Sequence, residues 1–64
     1  MDVYVVYTER ETLEGAMRMI VGTYAAREIA VSVVKHEQVH LQMQQVTGMN
    51  LIIEKFWMEL PAVH

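Results

Sequence analysis

Hydrophobic and polar residues alternate in two ways along this chain, and the switch between them divides it. Val3 to Thr8 is rich in β-branched and aromatic residues and predicts a first strand. Glu9 to Gly15 is polar and ends in glycine, as a hairpin connection does. Ala16 to Tyr24 fits two templates. As a strand it places Met17, Met19 and Val21 on one side; as a helix it aligns Leu13, Met17, Ile20, Val21 and Tyr24. Gly22 weighs against the helix. From Ala25 to Val46 the apolar positions Ala26, Ile29, Ala30, Val33, Val34 and Leu41 recur at helical spacing, and the stripe through Ile29 and Val33 is the face expected on the sheet. Thr47-Gly48 is the natural stop, with Gly48 suited to a left-handed cap. A hairpin over the same stretch, with Ile29, Val31 and Val33 alternating in one strand and Val39, Leu41 and Met43 in the next, is the competing pattern. Leu51 to Leu60 is the last strand, closed by Pro61.

The fold class that follows is α+β: one domain over residues 1–64, ββαβ, a three-stranded antiparallel sheet of order 2-1-3 with the helix on one face. The helix returns the chain so that the last strand runs against the first. With period two, Leu51, Ile53 and Trp57 share one face of that strand, and Ile52, Phe56 and Met58 the other. Both faces carry large apolar groups, yet one helix covers one face. Met17, Met19, Val21, Leu51, Ile53 and Trp57 are therefore the expected interface on the open sheet face. Val39 and Val46, seven apart on the far side of the helix, suggest a second, helix–helix seam.

Size sharpens this expectation. The chain has 64 residues, opens on Met1 and reads as a complete small protein, 53% hydrophobic with a net charge of −3. Domains this short bury too little surface and usually lean on disulfides, a metal or a partner. There is no cysteine, so disulfides are excluded. The five basic residues, Arg10, Arg18, Arg27, Lys35 and Lys55, are scattered, which argues against nucleic acid as a partner. No apolar run approaches membrane-spanning length and no signal peptide is visible, so no membrane partner and a cytoplasmic location are expected.

The order of elements resembles a loose group of short phage, prophage and bacterial proteins built strand, strand, helix, strand. Val21-Gly22-Thr23-Tyr24 matches their strand end, Arg27-Glu28-Ile29-Ala30 their helix opening, and Ile53 to Met58 their closing strand. The resemblance implies the ββαβ fold and a mobile-element origin, with a host protein as partner; the group has no common function or catalytic residues to carry over. Two departures stand out. Ala25 replaces the group's usual Ser or Thr at the helix start, and the last strand's open face is apolar where theirs is acidic.

One string suggests chemistry. His36-Glu37-Gln38-Val39-His40 matches H-E-x-x-H, which in zinc peptidases sets two imidazoles one turn apart on a metal while the glutamate activates its water. A catalytic zinc needs a third protein ligand, and only Glu54, Glu59 and His64 follow, none in a second motif. At helical spacing His36 and His40 also lie close to Ile29 and Val33, which would turn them half-buried towards the sheet. The expectation is a non-enzymatic module for self-association, a homodimer, or for binding another protein, with no cofactor and no metal. The alternative is a zinc-dependent hydrolase using His36 and His40 as ligands and Glu37 as base.

Overall fold

The structure, a computed structural model, describes residues 1–59. Strand β1 (Asp2–Thr12) pairs antiparallel with β2 (Gly15–Tyr24) on one side and β3 (Met49–Trp57) on the other, and helix α1 (Arg27–Met43) connects β2 to β3. The sheet order is 2-1-3, and residues 16–24 are strand. The stretch 31–44 is helical up to Met43, which removes the alternative hairpin.

The first hairpin is longer than its polarity suggests. Glu9 to Thr12 continue β1, and the connection shrinks to Leu13-Glu14. Arg18 stands directly opposite Glu9, and its Nε donates to Glu9 Oε2 at 2.7 Å. At the tip the Thr12 hydroxyl donates to the Gly15 carbonyl at 2.7 Å and accepts the Glu14 N–H at 3.3 Å. Polar residues here mark an exposed ribbon, and cross-strand pairing decides its conformation. At the other end β3 stops at Trp57, and the Met1 and Met58 backbones exchange hydrogen bonds beyond it. Leu60, Pro61 and His64 lie outside the described residues.

The helix is shorter than the span Ala25–Val46 at both ends. Its N-cap is Ala26, in extended conformation and without a side-chain cap. At the C-terminus Gln45, with φ 57°, takes the left-handed position expected of Gly48. Its N–H donates to the Gln42 carbonyl, and the Val46 N–H to the Leu41 carbonyl at 2.9 Å, which is the Schellman arrangement. Val46 thus lies past the helix, so Val39 and Val46 do not share a helical face. Gly48 still holds φ 78°, in the turn that leads into β3.

Residues paired across a ladder share a face. Tyr4, Val6, Thr8 and Arg10 of β1 therefore share a face with Lys55, Ile53, Leu51 and Met49 of β3, and with Tyr24, Gly22, Met19 and Met17 of β2. The register slips by one between Val6 and Tyr7, which leaves Val21 as an extra, bulged residue beside Gly22. The helix lies on this face: Leu41 borders Leu51 and Met49, and Arg27 borders Tyr4 and Ile53. Val6 and Ala30 are fully buried.

Two expectations change here. The helix face turned to the sheet follows Ala30, Val34 and Leu41, one residue round from the Ile29–Val33 stripe, and Ile29 is 53% exposed. Alanine, the smallest side chain on the helix surface, lets the backbone come down over Val6. Second, Met17, Met19, Val21, Leu51, Ile53 and Trp57 all lie on the helix-bearing side, so they do not form the open face assigned to them. The open face is Val3, Val5, Tyr7 and Glu9 with Ile20, Arg18, Ile52, Glu54 and Phe56. Strand pairing exposes which of two equivalent apolar faces the helix chose.

Relieving the left-handed strain at Gln45 gains more than the extra chain entropy of glycine costs. Gln45→Gly should stabilise by about 0.5 kcal/mol in urea titrations. Gly48→Val forces a β-branched residue to positive φ and should destabilise by about 1 kcal/mol or more.

Candidate functional site

Because the helix approaches along Ala30, it leaves the β2 side of its own sheet face uncovered. A groove of about 680 Å³ runs there, open to solvent. Its floor and walls are Val21 and Tyr24 from β2 and Ile29 and Val33 from α1, with Glu28, Ser32, His36 and Glu37 along the rim. Gly22 makes the groove possible: a Cβ there would stand 2.7 Å from Tyr24 Cζ, so only glycine lets the Tyr24 ring fold back along the strand. Beyond the groove Met17 and Met19 continue the apolar surface, with Met19 66% exposed.

The H-E-x-x-H string borders this groove. Relative to Ala30, His40 projects about 80° and His36 about 120° round the helix, both on the side of Ile29. Their closeness to Ile29 and Val33 holds, but that stripe faces the groove, and both histidines are exposed rather than half-buried against the sheet. Glu37 is the member of the string turned towards the sheet, and it is half-buried. Among the described residues no group of three His, Cys, Asp or Glu side chains is placed to hold a metal. Of the three downstream ligand candidates, Glu54 lies on the opposite sheet face, Glu59 joins no such group, and His64 is outside the described residues. One chain therefore brings together two imidazoles, and the third ligand of a catalytic zinc is missing from the described residues.

The open face carries a polar cluster that is invisible in the sequence. The Tyr7 hydroxyl donates to Glu54 Oε1. The Arg18 guanidinium lies 4.9 Å from the centre of the Tyr7 ring, bonds Glu9 through Nε, and stands 3.9 Å from Glu54 through Nη1. Four residues from three strands thus hold one another, with Ile20 and Phe56 exposed on either side. Glu54 and Tyr7 are 47 positions apart, and only the β1–β3 register brings them close. The Glu54 hydrogen bond and burial raise the Tyr7 pKa above its ordinary value, the Arg18 charge opposing.

No protein-family model, curated protein or solved structure matches this chain. No helix among the described residues is long and apolar enough to cross a membrane.

A tyrosine whose folded pKa is raised holds its proton longer in the native state than in the unfolded one. Its contribution is complete below the unfolded value near 10 and is lost as pH rises through the folded one. Stability should therefore fall at alkaline pH, and Tyr7→Phe should flatten that decline. Urea titrations of both proteins at neutral and alkaline pH would show the difference. Equal alkaline slopes would mean the hydrogen bond to Glu54 is not maintained.

Proposed function

We propose that this protein is a non-enzymatic self-association module, a homodimer formed through the β2 side of its helix-bearing face. One observation carries the reading: the single helix on one face of a three-stranded sheet leaves an open apolar groove along β2, with exposed Met17 and Met19 further along that strand. This strip comprises Met17, Met19, Val21, Tyr24, Ile29 and Val33. Among the described residues, the buried apolar side chains are Val3, Val6, Tyr7 and Ala30. The chain exposes 5427 Å², whereas a folded monomer of 7.4 kDa exposes about 4200 Å².

A second copy is favoured over other occupants because the strip is nearly free of charge, which suits an apolar, self-complementary contact. Methionines at its edge can adapt to a facing surface. Three of the residues assigned to an interface from the sequence, Met17, Met19 and Val21, belong to it; Leu51, Ile53 and Trp57 sit on the far side of the helix. The location proposed for this dimer is the cytoplasm. The resemblance to phage and prophage proteins supports a host protein as a further partner, and the exposed Ile20 and Phe56 of the opposite face offer it a surface. Hydrolase chemistry at His36, Glu37 and His40 would need a third ligand, and the described residues bring none to the two imidazoles.

Size-exclusion chromatography with light scattering at micromolar concentration should give twice the chain mass. Met19→Glu and Ile29→Glu each place an unpaired carboxylate in the interface. Each should weaken the dimer by about 3 kcal/mol, roughly a hundredfold in Kd. Ile20→Glu, on the opposite face, should leave the dimer intact. A folded monomer at high micromolar concentration, or a dimer broken by Ile20→Glu alone, would overturn the reading.

A further inference from the structure

The exposed flank of α1 carries a regular seam. Ile29, Val33, His36, His40 and Met43 follow one another in steps of four, three, four and three, the spacing with which one helix lies against another. In the structure Ile29 is 53% and Met43 79% exposed, and both histidines are exposed. The apolar members are understandable in a dimer seam. The histidines at its centre are not, because imidazoles taken out of water need partners and protonated ones repel.

We propose that His36 and His40 from two chains close into a single tetrahedral site for Zn²⁺ on the two-fold axis of the dimer. The inference rests on the self-association reading and adds what holds the two helices together. The seam is self-complementary when two helices run antiparallel about an axis level with Gln38. His36 then meets His40 of the partner subunit, and His40 meets His36 of the partner subunit. On either side Val33 meets Met43 of the partner subunit, so each imidazole pair is flanked by an apolar contact. Each chain supplies two imidazoles one turn apart, the spacing at which a helix grips one metal ion. Two such pairs complete the four nitrogen ligands of a closed zinc site with no open position.

This resolves three features at once. It gives the H-E-x-x-H string a purpose although one chain lacks a third ligand among its described residues. It yields a structural metal, which agrees with a non-enzymatic protein. It also supplies a staple to a short chain that has no cysteine and, among its described residues, four buried apolar side chains. The sequence leads to an expectation of no metal because it suggests a histidine pair turned inwards; exposure on the groove side makes the pair available to a second chain.

The test uses the full chain, stripped with EDTA and then titrated with Zn²⁺. Calorimetry and native mass spectrometry should find one zinc per two chains. Sedimentation should show the dimer tightening roughly tenfold or more on zinc addition, with no response to Mg²⁺. Co²⁺ in place of zinc should give the visible absorption of a tetrahedral centre. His36→Ala and His40→Ala alter exposed positions, so both should fold; each should abolish the zinc response, whereas Ile20→Glu on the opposite face should keep both dimer and zinc response. Zinc bound once per chain without a change in dimer affinity would be adventitious surface binding and would overturn the site. So would a dimer indifferent to zinc and EDTA, while leaving self-association standing. A monomer under both conditions would overturn both.

Discussion

One helix cannot cover a three-stranded sheet, and the rest of this structure follows from where the single helix sits. Its position is decided at Ala30, which has no side chain beyond Cβ and lets the helix settle over Val6 in the central strand. Larger residues on one flank, Ile29 and Val33, then face sideways over β2. That tilt places the helix close to β1 and β3 and opens the groove along β2. The apolar strip, the exposed histidines and the unsupported edge of β2 share this single cause.

The energetics point the same way. Burial of apolar surface is the main favourable term in folding, and among the described residues four apolar side chains are well buried. Its polar contacts are mostly on the surface, where ion pairs such as Lys55–Asp2 at 3.5 Å add little. The open-face cluster of Tyr7, Arg18, Glu9 and Glu54 ties three strands together but leaves apolar neighbours in water. A partner that covers the β2 strip would supply the missing burial. Were that partner a second copy, stability and assembly would be one equilibrium, and folding measurements on this chain would depend on its concentration.

Local devices compensate for local departures. The helix begins without a side-chain cap at Ala26 and ends on a strained Gln45, yet the Schellman hydrogen bonds satisfy its last carbonyls. Gly22 is the one residue whose absence of a side chain shapes the site, because the Tyr24 ring occupies the space a Cβ would need. The bulge at Val21 turns an additional valine to the helix side at the same place. Backbone irregularity and groove coincide.

The ββαβ order, the antiparallel sheet with β1 in the middle and the excess of apolar residues were all legible in the sequence. They depend on short-range periodicity and on the direction in which a connecting helix returns the chain. The positive φ at Gly48 was legible too, although Gln45 and not Gly48 ends the helix. What the sequence could not determine was which side of an evenly apolar sheet the helix covers. Leu51, Ile53 and Trp57 alternate with Ile52, Phe56 and Met58, and neither set is polar enough to be outward by default. Likewise a helical wheel places His36 and His40 beside Ile29 and Val33 but does not say where that stripe points. The burial of Ala30 and Val6 between helix and sheet decides both, and packing between residues 24 positions apart has no period to read. The Tyr7–Glu54 pair is the same case across 47 positions, fixed by strand register alone.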